Sequence, residues 1–371
     1  MAYKAMSINN INQTGGGTRI TSIDALRAAT LLGILLVHTI ALFGFGKGYC
    51  EQTQIGNLSC SAISFLLANR CNKVFNILFG VSFYLILKNP QNSSGRFIWR
   101  CFLLMLIGLF NKIFYTFDAL MWYGLWGMVL VSFRKLSTKQ LFIAFLLLYT
   151  INTLVYYLVP LKEFIFGDYV NTRYHTESLS EVVSYPIFQA VKDYLFAVIA
   201  SPVGCLANMV LGYCIAKGGI IEKIKNYTNF KYIGAFFFAY LILGFASYYF
   251  HFDPLLRVSY MFGSFFYATL FLWIYYRFYP NLRFLEPYGK LGLTNYSCQS
   301  IFGVILAACI YIPLKMPIEY VLICSILFFA LQVIFSTIWL KYFKYGPFEW
   351  LWRCATNLQL IDNRAIENSK K

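Results

Sequence analysis

His38 stands inside the apolar stretch "IDALRAATLLGILLVHTIAL" (residues 23–42), eleven residues after Arg27. Eleven residues at about 100° each return nearly to the same helical face, about 16 Å further along the axis. Asp24 precedes Arg27 by three positions, so the two can pair on neighbouring ridges. An imidazole at that depth is a candidate proton acceptor or relay, with an interhelical hydrogen bond as the alternative. A second polar stripe lies in "ANRCNKVFNILFG" (68–80), where Asn69, Asn72, Lys73 and Asn76 recur at i, i+3, i+4 and i+7 beside Arg70. It lines a polar cavity or snorkels at one end of its span.

Two further segments carry groups that hydrocarbon does not tolerate alone. "FNKIFYTFDALMWYG" (110–124) brings Asn111, Lys112 and Asp118 to a span boundary, where Asp118 serves a site or an ordinary helix N-cap. In "GKLGLTNYSCQS" (289–300), Asn295, Tyr296, Gln299 and Ser300 fall on related turns, for the same cavity or for a polar interhelical contact. Ten cysteines are present, but no Cys/His cluster has zinc spacing, so no metal is expected. Cys50 and Cys60 share a polar loop and can pair in an oxidising compartment.

The elements that must hold these groups are membrane spans. Of 371 residues, 59% are hydrophobic and only 12% charged, and the mean hydropathy is +0.60. A soluble domain carries about twice that charge fraction. Apolar runs of about 20 residues specify helices rather than a β-barrel. The expected fold is an all-α polytopic bundle of about ten spans, at 24–46, 62–87, 100–117, 119–133, 140–160, 195–217, 232–250, 255–276, 291–313 and 318–341. The bundle occupies 23–343, between a polar segment 1–22 and a tail 344–371.

The net charge of +16 is topological and lipid-directed rather than a nucleic-acid signal. Lys88, Arg96, Arg100, Arg134, Lys135, Lys217, Lys223, Arg277, Arg283, Lys290 and Lys341 fall on one side. The other side carries few cations between spans and also holds acidic residues such as Glu51, Glu163, Asp168, Glu177 and Glu181. Both termini are therefore expected in the cytoplasm. The connection 161–194 is expected to hold a short amphipathic helix at the outer mouth.

The blocks "TRITSIDALRAATLLGILLVHTI", "NILFGVSFYLILK", "FDALMWYGLWGMVLVSFRKLS", "GKLGLTNYSCQSIF" and "KYGPFEWLWR" resemble, in order and spacing, the YeiB-like membrane proteins. The C-terminal region of that family is called domain of unknown function 418. The family in turn resembles a transmembrane acyltransferase superfamily, which includes acyltransferase-3 proteins and heparan glucosaminide N-acetyltransferase. Acyltransferase-3 members carry an arginine, ten residues and a histidine in the first span, as Arg27 and His38 do here. Family members typically have Asn where this chain has His38, and often His where it has Asn111.

The resemblance implies a multi-pass bacterial inner-membrane acyltransferase. It would move an acyl group, acetyl in the first instance, from cytoplasmic acyl-CoA to a surface glycan or lipid-linked acceptor. His38 would be the base or the acyl carrier, with Asn69, Asn72, Asn76 or Asn111 orienting it or donating to the oxyanion. Arg27, Arg96, Arg100 and Lys290 would hold CoA phosphates. Arg70, Lys73, Asp118, Asn295 and Gln299 would line the acceptor cavity. The alternative is a transporter or channel-like protein with His38 as a proton relay.

Overall fold

The computed structural model describes residues 20–43, 53–89, 93–112, 114, 118–158, 203–306 and 316–365. Among these the architecture is all-helical, with one isolated bridge between Phe343 and Arg364. The helices are α1 (Thr21–Phe43), α2 (Gln54–Leu66), α3 (Cys71–Leu87), α4 (Ser94–Lys112), α5 (Leu120–Leu130), α6 (Thr138–Leu158) and α7 (Val203–Lys217). They continue with α8 (Phe230–Phe250), α9 (Asp253–Arg277), α10 (Leu285–Lys290), α11 (Gly292–Leu306), α12 (Ile318–Tyr342) and α13 (Pro347–Asn357).

Among the described residues, six stretches are long and apolar enough to cross a membrane: Thr21–Ala41, Gln54–Leu87, Ser94–Lys112, Phe230–Phe250, Asp253–Arg277 and Ile318–Tyr342. Shorter apolar helices lie at Thr138–Leu154 and Val203–Lys217. The second span is not the continuous helix expected over 62–87. It is α2 and α3 joined by a turn at 67–70, with Asn69 in the left-handed region at φ 63°. The fourth, expected over 119–133, is the eleven-residue α5 followed by a 3-10 segment, Val131–Lys135. Eleven residues rise about 16 Å, half the thickness of a bilayer core. The amphipathic segment expected in 161–194, and Cys50, lie outside the described residues. Cys60 is disulfide-bonded to a partner that also lies outside them.

Helix α1 is the central strut. Ala25, Ala28, Leu31, Ile34 and Leu35 are all buried, and it packs on α3 and α9–α12. Such burial is what the apolar positions of a helix achieve in a bundle core. Backbones approach closely where side chains are absent: a Cβ on Gly80 of α3 would meet the Met209 carbonyl of α7 at 1.9 Å. Gly212 of α7 faces the Ile77 carbonyl in the same way, and Gly289 faces the Asp24 carbonyl of α1. These are small-residue crossings of the kind that lets apolar helices gain packing in lipid. The outward faces, such as Phe238, Ile242 and Phe245 of α8, are exposed and apolar, as lipid contact requires.

Residues after the last span fold back onto the bundle. Helix α13 begins with Pro347 at its first turn, a position where the missing amide is no loss. Trp352 Nε1 donates to the Arg100 carbonyl at 2.9 Å and Trp99 Nε1 to the Ala355 carbonyl at 3.1 Å. α13 is thus pinned along the start of α4.

Candidate functional site

Helices α1, α3, α4, α5, α10, α11 and α13 enclose a cavity of about 370 Å³. Its mouth is at the end of the bundle that carries the basic connections, with Arg27, Arg100, Lys290 and Arg353 in the wall. The interior is aromatic, with Phe75, Phe79 and Phe97, and the far end reaches Leu120, Tyr123 and Tyr296. Arg27 Nη1 pairs with Asp24 Oδ1 at 2.7 Å, and Nη2 donates to Ser82 Oγ at 2.6 Å. The first-span pair expected from spacing therefore forms, and it faces the cavity.

Behind the floor lies a buried polar cluster. Asn111 Nδ2 donates to Asp118 Oδ2 at 2.7 Å and to Ser300 Oγ at 3.0 Å. Asp118 Oδ1 accepts the Leu120 amide at 2.9 Å, capping the start of α5. Tyr296 is hydrogen-bonded to the same carboxylate, and its hydroxyl accepts the Ala119 amide at 3.1 Å. The His38 ring meets Tyr296 edge-on, with centroids 6.2 Å apart. Positions 38 and 111, eleven residues along α1 from Arg27 and along α4 from Arg100, thus converge on one tyrosine–carboxylate pair. Tyr296 belongs to both the cavity lining and the buried cluster.

The other candidate residues lie elsewhere. Asn69 is outside helix α3 and exposed, and Asn72 is exposed, so the stripe read from periodicity is interrupted by the turn. Asn76 is buried with its Oδ1 unpartnered among the described residues. Arg70 is buried in a box of rings, its Cζ 4.5 Å from the Tyr260 centroid and 5.2 Å from that of Tyr240. It donates to the Tyr240 hydroxyl at 2.6 Å and to the Ala68 carbonyl at 2.8 Å, which ties the α2–α3 turn to α8 and α9. Lys73 stands within reach of the like charges of Arg257 and Arg70. Asn295 and Gln299 join an interhelical network: Asn295 Nδ2 donates to Ser336 Oγ at 3.0 Å and Gln299 Nε2 to Tyr288 Oη at 2.8 Å. Arg96 is exposed, one helical turn outside Arg100.

Glu349 was not singled out by sequence reasoning, and it closes the cavity wall. Its Oε1 accepts the Leu293 and Thr294 amides at 2.8 and 3.1 Å, and Oε2 accepts the Thr294 hydroxyl. This places a carboxylate on the N-terminus of α11, where the orphan amides and the helix dipole favour negative charge. Burial nevertheless pushes the Glu349 carboxyl above its usual range, against those hydrogen bonds. The signal in the sequence was the amphipathic segment "PFEWLWR" directly after a span.

Residues 220–359, from the turn before α8 through α13, match the family described as "Protein of unknown function (DUF418)". The chain is similar to "Uncharacterized protein YxaH" of Bacillus subtilis (strain 168), 25% identical over 95% of this chain and 97% of that one. It is 26% identical to "Uncharacterized 39.9 kDa protein in amylase 3'region" of Bacillus acidopullulyticus, over 91% of this chain and 94% of the relative. It is also 26% identical to "Uncharacterized protein YeiB" of Escherichia coli (strain K12), over 91% of this chain and 96% of that one. No solved structure matches the chain. The apolar helices, the end-to-end similarity to these bacterial proteins and the DUF418 match over residues 220–359 agree: the chain is similar to the YeiB-like DUF418 proteins, and its C-terminal region matches the model that defines them.

Proposed function

We propose that this protein is a membrane-embedded acyltransferase that uses acyl-CoA, acetyl-CoA in the first instance, to modify a glycan or lipid-linked acceptor at the cell surface. The observation that carries the reading is the double membership of Tyr296, which lines a cavity with a basic mouth and hydrogen-bonds Asp118 beside Asn111 and His38. An anionic, phosphate-bearing donor is attracted to Arg27, Arg100 and Lys290. Its uncharged pantetheine arm, with the acyl group at its tip, then runs between Phe75, Phe79 and Phe97 to the floor.

In the reaction the acceptor hydroxyl or amine attacks the thioester carbonyl and His38 takes its proton. The C–S bond breaks, and the leaving thiolate recovers a proton. Asn111, Asp118 and Tyr296, tied to one another by hydrogen bonds, hold the polar floor in one geometry. The topology that serves this chemistry has ten spans in a bacterial inner membrane. Both termini and the cavity mouth face the cytoplasm, on the positive-inside argument. Cys60, half of a disulfide, then faces the oxidising side.

The test is transfer of labelled acetyl from acetyl-CoA by inside-out vesicles holding the full chain. Transfer lost in His38→Ala, with the protein folded and inserted, supports the reading. A wild-type rate equal to empty vesicles rejects it. A second reading is transport, favoured by the interruption of the second span at 67–70, since broken helices line substrate paths in transporters. Proton-coupled uptake into proteoliposomes without acyl-CoA turnover would select it.

A further inference from the structure

The mouth of the cavity holds more positive charge than its wall neutralises. Asp24 is engaged by Arg27, and Glu349 is taken up by the start of α11. Arg96 and Arg353 both stand close enough to Arg100 to repel its guanidinium. None of these three arginines has a carboxylate partner among the described residues. Arg100 Nε is buried without a hydrogen-bond acceptor among them.

Like charges are normally spread apart, yet here they are held together. Arg100 lies over the Trp352 ring at 4.8 Å, and the indole Nε1 of that tryptophan donates to the Arg100 carbonyl at 2.9 Å. Arg353 lies over the Tyr345 ring at 4.2 Å. Stacking leaves the in-plane N–H edges of a guanidinium available, the geometry that takes phosphate oxygens two at a time.

We propose that Arg96, Arg100 and Arg353 form a phosphate clamp at the cavity mouth, built jointly by α4 and α13. The ligand it takes is an organic phosphate whose uncharged arm enters the cavity. Its identification with acyl-CoA rests on the acyltransferase reading, whereas the clamp itself does not. The C-terminal helix is thereby part of the binding site, since Arg353 and the Trp352 platform both belong to it. The same chemistry can be satisfied by a soluble nucleotide-type phosphate or by the headgroup of an anionic lipid.

The experiment uses the full chain in phosphatidylcholine nanodiscs, titrated calorimetrically with CoA, with ADP as a probe lacking the arm, and with pantetheine as one lacking phosphate. Arg353→Gln and Arg100→Gln are each expected to weaken CoA and ADP by about tenfold or more, with pantetheine unaffected. Arg353→Lys should restore part of the loss, and Lys231→Gln, on α8, should change nothing. Thermal unfolding of each variant confirms that it is folded.

Wild-type affinity for CoA and ADP in folded Arg353→Gln overturns the clamp, even if acetyl transfer is observed. CoA binding that depends on the arginines without any acetyl transfer keeps the clamp and removes the acyltransferase. If neither CoA nor ADP binds, phosphatidylglycerol retained by the purified wild type but lost from Arg353→Gln establishes the lipid as the source. Retention by both, or by neither, overturns the clamp.

Discussion

Tyr296 sits where an apolar shaft ends and a buried carboxylate begins, so removing its single oxygen affects both. In Tyr296→Phe the Asp118 carboxylate loses a donor and the Ala119 amide loses its acceptor. Leaving buried groups unsatisfied costs about 1–3 kcal/mol, to be read as reduced resistance to denaturant in detergent. Transfer, if His38 is the base, falls by about 10²–10⁴ in His38→Ala, while unfolding of that variant stays close to wild type. At this scale the sequence was informative where spacing alone decides proximity, as for Arg27 with Asp24. It was silent on Tyr296 as the junction, because only the packing of α11 against α4 and α5 brings residue 296 to residue 118.

At the scale of elements, the crossing of α3 and α7 depends on two missing side chains. Gly80→Val or Gly212→Val places a branched side chain where a backbone carbonyl already stands. Overpacking of that kind costs about 1–3 kcal/mol or more; the expected result is loss of folded protein after detergent extraction, measured by fluorescence-detected size exclusion. Docking of α13 carries a pH signature through Glu349. Its carboxyl is raised by burial, so the folded state binds the proton more tightly than the unfolded one. That contribution favours the docked state in acid and is lost as pH rises from the ordinary carboxylate pKa through the native one. Wild-type melting temperature should therefore fall relative to Glu349→Gln as pH rises above the ordinary carboxylate range. Equal pH slopes for the two proteins would contradict it.

Helix existence was legible from apolar length, but the 67–70 break was not. A periodicity argument assumes an unbroken helix, and "ANRCNKVFN" satisfies it on paper while Asn69 adopts a left-handed turn that asparagine tolerates. Likewise α13 reads as part of a polar tail by composition. Its tryptophans and Glu349 find partners on α4 and α11 that no local window contains.

For the molecule as a whole, the charge asymmetry of the connections predicts one orientation. Single cysteines placed at Lys4 and Lys344 in a cysteine-free background should react with a membrane-impermeant maleimide only after the cells are opened. Labelling of either in intact cells would reverse the topology. The central place of α1 bears on how the protein is made. Its partners α10, α11 and α12 are synthesised on the order of tens of seconds after it. Until then the buried Asp24 face and the groove that receives Gly289 have nothing to pack against. The first helix to enter the membrane is therefore among the last to be completed, and it must be kept near its insertion machinery in the interval. A chain ending before residue 285 should be cleared by membrane proteases much faster than the full-length protein in a pulse-chase, although most of its spans are present.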